Sequence, residues 1–469
     1  MSSRVLALIA GAVAGGVLLA AQEGGRSMTQ VRLMTLDPGH FHAALVQKEM
    51  YPGVAPRVDV FAPLGPDLVE HLNRIVAYNR RSDQPTTWDM EVHTSSDYFE
   101  RMLREHPGNV VVFSGRNRVK IDRIAASVSA GLNVLGDKPW ILKSEDLPKL
   151  EQTLAEADKR GVVAYDIMTE RFEITSILQR ALVNDPATFG EMVPGTDADP
   201  GVYMESVHYL MKLVSGAPNI RPAWFFDTAE QGEGLNDIGT HLVDLVQWTL
   251  FPDTAIDYRK DVQVVGAQRW PTTISQQDFQ RVTKEPRFPA SLGPAVKGDT
   301  LEYYCNTLVA YTLRGVHTKL NVIWDWEPPA GSGDTHFAFY RGTRARVEIR
   351  QGQADRFRPE LYVIPAAAAN KAQVLAAAQA KVKALQDRYP GVTAEDRGAE
   401  IHIAIPDAFR VGHEAHFAQV TANFLDYMRN RSALPAWERP NMLAKYYVTT
   451  KGTEMSRQGS SRPAPRLAR

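Results

Sequence analysis

Three short stretches of this sequence carry residue types that can do chemistry. The first reads Leu36-Asp37-Pro38-Gly39-His40-Phe41-His42, in which one carboxylate and two imidazoles crowd a turn between an apolar run and a helical one. Carboxylate and imidazole are both metal ligands, so Asp37, His40 and His42 form a candidate metal or acid–base cluster. The competing reading makes Asp37 a helix cap and the two histidines ordinary polar residues. The second stretch runs Gly131-Leu132-Asn133-Val134-Leu135-Gly136-Asp137-Lys138-Pro139-Trp140. A lysine that follows a buried strand is held at the sheet edge where ligands of doubly wound folds bind, and its ammonium can steady an alkoxide or relay a proton. An isolated Lys-Pro is also a common surface turn. The third stretch, residues 232–248, contains Asp237 and His241, which share one face of a helix at a spacing of four and make an acid–base pair near neutral pH. Here the alternative is a capped helix with a buried, hydrogen-bonded His241.

The elements that must position these residues follow from periodicity. Residues 31–36, 58–62, 110–114, 133–135 and 162–165 read as strands. Between them, residues 41–50, 121–130 and 147–160 read as helices, the last with Leu147, Leu150, Leu154 and Ala157 on one face and Gly161 as its stop. Strands alternating with helices predict a doubly wound, Rossmann-like parallel sheet over residues 28–166. Residues 63–96 read as a charged, partly helical insertion of unassigned role. From 167 to 456 the runs 202–207, 262–268, 300–313, 317–326, 336–341 and 345–350 predict an α+β domain with a large, open and mainly antiparallel sheet. Helices are expected over 366–388 and 416–428, covering an edge of that second domain. Residues 457–469, rich in Arg, Pro and Ser, read as a disordered tail.

Composition narrows the function. With 469 residues, more than one core is required. Lys plus Arg (53) balance Asp plus Glu (54), so no global field holds nucleic acid or an anionic membrane. Arg4 followed by the apolar run 5–21, which ends in small Ala20 and Ala21 and is shorter than a spanning helix, reads as a signal peptide over 1–27. The expectation is export to the periplasm or beyond, with no stable membrane insertion after cleavage. Cys305 is the only cysteine, which excludes an intramolecular disulfide, and within its strand it reads as a small buried apolar residue. Trp224, Phe225, Phe226, Trp324 and Trp326 could stack on a sugar, although aromatic residues in such segments more often belong to the core.

Taken together, Lys138-Pro139 and the later Asp237, Gly239 and His241 resemble the paired signature of the Gfo/Idh/MocA (glucose-fructose oxidoreductase-like) family. The run from Ser114 through Asn117 and Gly131 to Asp137-Lys138-Pro139 is similar to that family's approach to its Glu-Lys-Pro motif, with Asp137 in place of Glu. The resemblance implies a nucleotide-binding domain followed by an α/β domain whose open sheet mediates homo-oligomer formation. It also implies NAD or NADP bound across Gly39, His40, Phe41, Asn117, Asp137, Lys138 and Pro139. Lys138 would contact nicotinamide ribose and substrate, Asp237 would hold a sugar, glycoside or polyol, and His241 would be the acid–base residue. The family's glycine fingerprint is reduced to Gly39, with Asp37 and His42 at the flanking glycine positions and Arg116 where Pro commonly precedes the Asn. Export requires the cofactor to be retained tightly through turnover. A non-redox sugar lyase or hydrolase without the cofactor, and an inactive carbohydrate-binding homologue, are the other readings of the same scaffold.

Overall fold

In a computed structural model of the chain, residues 30–214 and 217–459 are described. The expected signal peptide and residues 460–469 of the expected tail lie outside them. Six strands form the first sheet: β1 (Leu33–Leu36), β2 (Arg57–Phe61), β3 (Asp89–His93), β4 (Val110–Phe113), β5 (Asn133–Gly136) and β6 (Ala164–Asp166). All pair in parallel in the order β3-β2-β1-β4-β5-β6. Their connections carry α1 (His42–Val46), α2 (Pro66–Arg80), α3 (Tyr98–Glu105), α4 (Lys120–Ser129) and α5 (Leu147–Arg160). β1 and β4, with sequences LMTL and VVVF, are buried at every position, as a strand covered on both faces must be. The strand order reverses between β1 and β4, and the crevice at their carboxyl ends is where doubly wound sheets bind ligands.

Residues 63–96 are not an insertion. They supply α2 and β3, the crossover helix and edge strand that complete the sheet. β3 reads DMEVH and buries only His93. A charged edge discourages pairing with other chains, and it also erases the alternating pattern by which strands are found in sequence. The helix expected over 41–50 is only the five-residue α1.

The chain continues through α6 (Ile174–Val183), β7 (Val202–Tyr209), the small pair β8 (Leu213–Val214) and β9 (Ala217–Pro218), α7 (Gly234–Leu250) and α8 (Tyr258–Asp261). Next come β10 (Val262–Ser275), α9 (Gln276–Thr283), β11 (Val296–Lys297), β12 (Thr300–Leu313), β13 (Val316–Asp325), β14 (Thr335–Arg341), β15 (Ala345–Gln351) and β16 (Glu360–Pro365). The last elements are α10 (Lys371–Ala384), β17 (Thr393–Asp396), β18 (Ile401–Ala404), α11 (His413–Arg429) and α12 (Glu438–Gln458). The second sheet has ten strands in the order β10-β12-β13-β7-β14-β15-β16-β18-β17, with β11 on β12. Only the β13–β7 pair is parallel, so the sheet is mainly antiparallel as expected.

The two C-terminal helices return to the first sheet. Phe417, Val420, Phe424 and Leu425 of α11 pack into the core formed by Leu45, Val112 and Leu135, not over an edge of the second domain. α12 extends through Gln458, past the start expected for the tail, and belongs to both cores: Met442 and Tyr446 join Phe113 and Trp140, whereas Ala444 and Val448 join the second.

Buried charge ties these parts together. Arg171 grips both oxygens of Asp244 on α7 at 2.6 and 2.7 Å and also Glu438 of α12 at 2.7 Å. Lys445 of α12 bridges Asp244 at 3.0 Å and Asp166, at the end of β6, at 2.7 Å. Burial would raise the Asp244 carboxyl, but Arg171 and Lys445 pull it well below the carboxylate range. Removing one member of a buried pair strands its partner, which costs about 3–5 kcal/mol. Asp244→Ala is therefore expected to lower the unfolding free energy by about that amount, read from urea denaturation. Because the folded pKa of Asp244 is depressed, its contribution is present above the unfolded value and fades as pH falls below about 4. The variant should lose that part of the acid dependence.

Candidate functional site

The turn after β1 presents its groups differently from the sequence expectation. Asp37, at φ 47°, turns away from the histidines, accepts a hydrogen bond from Arg123 at 3.0 Å and faces Arg116 at 3.7 Å. Only glycine fits beside this turn at position 115, where a Cβ would lie 2.2 Å from the Asp37 carbonyl oxygen. The expected Asp37–His40–His42 cluster is thus corrected: the carboxylate that meets the two imidazoles is Asp137. Its Oδ2 lies 2.9 Å from His42 Nδ1, 3.4 Å from His40 Nδ1 and 3.1 Å from the Ser114 hydroxyl that donates to it. Lys120, buried, donates to the Asp137 carbonyl at 2.9 Å, and burial lowers its ammonium to about 8. Burial would raise the Asp137 carboxyl, but the facing imidazoles outweigh it and keep Asp137 ionised. Burial also holds His42 neutral, against the pull of Asp137.

Lys138 and Asp237 form a buried ion pair, so the sheet edge and α7 meet at the residues singled out from sequence. Pro139 follows, and Trp140 folds back over Gly136, donating its indole N–H to that carbonyl at 3.1 Å. α7 begins with a capping box in which Glu233 is the cap and Asn236 its return partner. The helix start lies directly on β12: a Cβ at Gly234 would sit 1.9 Å from the Cys305 carbonyl oxygen. Asp237 and His241 then face the same cavity one turn apart. Burial opposes the charge of Lys138, but Asp237 and Asp137 outweigh it and raise the ammonium; burial likewise would raise Asp237, and Lys138 reverses the sign. Burial, reinforced by Lys138, pushes His241 well below 6.5, so the imidazole is neutral. Its Nδ1 is buried and has no hydrogen-bond partner.

The cavity these residues share is about 390 Å³ and includes His40, Phe41, His42, Lys138, Asp237 and His241 in its wall. Asn117 does not line it directly. Its amide N–H donates to the Gln231 carbonyl and its backbone N–H to the Glu230 carbonyl, both at 2.8 Å, leaving a buried Oδ1 unpartnered. The remaining wall holds residues that sequence reasoning did not select. Arg221 is locked by the carbonyls of Leu210 and Tyr209 and stacked on Phe225 and Trp324. His208 and Lys212 both contact Asp334, at 3.3 and 2.9 Å. Glu170 also lines the cavity, and burial, with the like charge of Glu173, raises its carboxyl to about 7. No motif marks Glu170. Its place just after β6, on the ligand-binding edge of the sheet, was the available signal. Of the aromatic candidates, Trp324 and Phe225 reach the cavity, whereas Phe226 is core.

A Rossmann-type sheet joined to a large mixed sheet, with a Lys-Pro turn meeting an Asp-x-x-x-His helix in one cavity, is the architecture of the Gfo/Idh/MocA family. Residues 178–457 match the family profile described as "Putative oxidoreductase C terminal domain", and the chain belongs to this family. It is similar to a "putative oxidoreductase" from Parabacteroides merdae ATCC 43184, with 46% identity and a TM-score of 0.89 over 92% of this chain and 98% of that one. The ketoreductase KijD10 from Actinomadura kijaniata, crystallised with TDP-benzene and NADP, shares the fold at 13% identity and TM-score 0.53, covering 91% and 97%. GenD2 from gentamicin A biosynthesis, crystallised with NAD, does so at 15% and 0.53, covering 96% and 97%. No curated protein matches the chain.

A nicotinamide cofactor can be tested against the residues present. Its nicotinamide–ribose end is matched by the Lys138 ammonium and the unpartnered Asn117 Oδ1. Its pyrophosphate end would meet Gly39, and there a Cβ would lie 2.9 Å from Trp224, whose indole donates to Asp67 at 2.9 Å beneath the Arg116 guanidinium. The Gly39 and His40 N–H groups are already bonded to the Asp37 and Ser114 carbonyls. Arg116 and Arg123, which pair with Asp37 and Asp67 at this turn, are cations of the kind that suit phosphate, and the Trp224 indole lies over Gly39.

Glu170 yields a prediction independent of any ligand. Its folded pKa lies above the unfolded value of about 4.3, so the native state binds the extra proton and loses stability as pH rises from about 4.5 to 7. Glu170→Gln removes that loss. The variant is expected to gain up to roughly 3 kcal/mol over the parent at pH 8 and nothing at pH 4, measured by urea denaturation.

Proposed function

We propose that this protein is a nicotinamide-dependent oxidoreductase acting at a carbinol carbon of a sugar, glycoside or polyol. The observation that carries the reading is His241: a neutral imidazole, one helical turn from the Lys138–Asp237 pair and on the wall of the same cavity. Such an imidazole takes the substrate hydroxyl proton, and the Lys138 ammonium, aimed by Asp237, steadies the alkoxide that develops. Gly39, His40, Phe41, Asn117, Asp137, Lys138 and Pro139 would hold NAD or NADP, which would supply the hydride acceptor when bound. The Trp324 face and the polar groups of Arg221, His208 and Asp334 suit a polyhydroxylated ring. KijD10 and GenD2, with their NADP and NAD, support the cofactor in this reading. Export guided by residues 1–27, with the cofactor retained, and a homo-oligomer built through the second sheet belong to the same proposal. Among the described residues no helix is long and apolar enough to cross a membrane.

A second reading, a non-redox lyase or hydrolase in which Lys138 and His241 move protons alone, is favoured by the indole of Trp224 lying on Gly39. Two measurements separate them. Small molecules released on denaturation should include nicotinamide cofactor at near-equal molar amount, and Trp224→Ala should bind NAD or NADP more tightly than the parent in calorimetry. His241→Asn should lower turnover about 10²- to 10⁴-fold while leaving cofactor affinity within a few-fold. No released cofactor and no binding to parent or Trp224→Ala would contradict the redox reading and favour the second.

A further inference from the structure

His40, His42 and Asp137 each offer one ligand atom, the three atoms lie within 4.8 Å of one another, and the two histidines line the cavity. From Asp137 Oδ2, the 3.4 Å to His40 Nδ1 matches the roughly 3.3–3.4 Å edge of a tetrahedron whose metal–ligand bonds are about 2.0–2.1 Å, and the 2.9 Å to His42 Nδ1 is a hydrogen bond that an ion would replace. His40 Nδ1 is buried and makes no hydrogen bond, its nearest charged neighbour being the Asp137 carboxylate at 3.4 Å. The carboxylate is oriented from behind, its Oδ2 by the Ser114 hydroxyl and its backbone carbonyl by Lys120, as outer-shell groups orient metal ligands. Asp237 neutralises the neighbouring Lys138, and the ammonium that remains close, Lys120, is held on the Asp137 backbone carbonyl.

We propose that His40, His42 and Asp137 bind a divalent first-row transition ion, Zn²⁺ by donor type, with its open position facing the cavity. Two imidazoles and one carboxylate leave room for a substrate oxygen, the pattern of catalytic rather than structural sites. The ion would act there as a Lewis acid on a substrate hydroxyl or carbonyl oxygen, in the cavity that His241 serves. The site does not depend on the redox reading. Metal content is measured without substrate or cofactor, so either proposal can fail alone.

The test is elemental analysis of the full-length protein prepared without a histidine tag, followed by chelation, titration with Zn²⁺ in calorimetry and the visible spectrum of the Co²⁺ form. Expected are saturable binding of about one ion per chain, Co²⁺ bands of a low-coordinate site, and a loss of Zn²⁺ affinity of at least about 10- to 100-fold in His40→Gln and Asp137→Asn. His208→Asn, on another part of the wall, should keep the parent affinity. If Asp137→Asn fails to fold, His40→Gln, at a partly exposed position, decides the question. Absence of stoichiometric Zn²⁺ binding in the parent, or unchanged affinity in His40→Gln, would overturn the proposal.

Discussion

The charge network around Asp244 is the constraint on which the site depends. Asp237, His241 and Asp244 follow one another down a single face of α7, and what happens at Asp244 sets where the other two point. Arg171 and Lys445 hold its carboxylate from two directions, and through them α7 is fastened to the end of β6 and to α12. Ions this deep are tolerated only when paired, so any rotation of α7 that broke the contacts would leave uncompensated charge in the core. The close seat of Gly234 on the Cys305 carbonyl removes the remaining freedom at the other end of the helix. The meeting of Lys138 with Asp237, contributed by different cores, is a consequence of this anchoring.

Inside the cavity the same burial acts in opposite senses on neighbouring groups. Lys138 and Asp237 stay ionised because each is the other's partner, whereas His241 is driven neutral by burial and the Lys138 charge, which outweigh Asp137 and Asp244. Glu170, facing Glu173, is pushed up to about 7. Environments that push titratable groups apart assign them different work: an ammonium to stabilise negative charge, a free imidazole to accept a proton. One fold thereby sets up acid and base chemistry from a handful of side chains.

Much of this was legible in the sequence because it is carried by local pattern. Apolar runs such as 110–113 marked the buried strands, and Lys138-Pro139 with Asp237 and His241 marked both halves of the site. What stayed hidden depends on chain return. Nothing near His42 announces that its carboxylate partner is Asp137, ninety-five positions on, instead of the adjacent Asp37. β3 was hidden by its polar edge, Glu170 by the absence of a motif, and the place of Trp224 over Gly39 by the ambiguity of aromatic residues, whose sequence does not say what they cover. The role of α11 and α12 in closing the first sheet could not be read from their amphipathic faces, which show that a helix is covered but not by what.

The most direct measurement is a single-turnover experiment in which protein loaded with NAD or NADP is mixed with a panel of sugars and polyols and followed by the absorbance of reduced nicotinamide. The account predicts a rise with at least one of them, slowed when deuterium replaces the hydrogen on the oxidised carbon and slowed about 10²- to 10⁴-fold in His241→Asn. Cofactor bound stoichiometrically with no reduced nicotinamide formed, while the sugar is nonetheless consumed, would contradict hydride transfer as the work of this site.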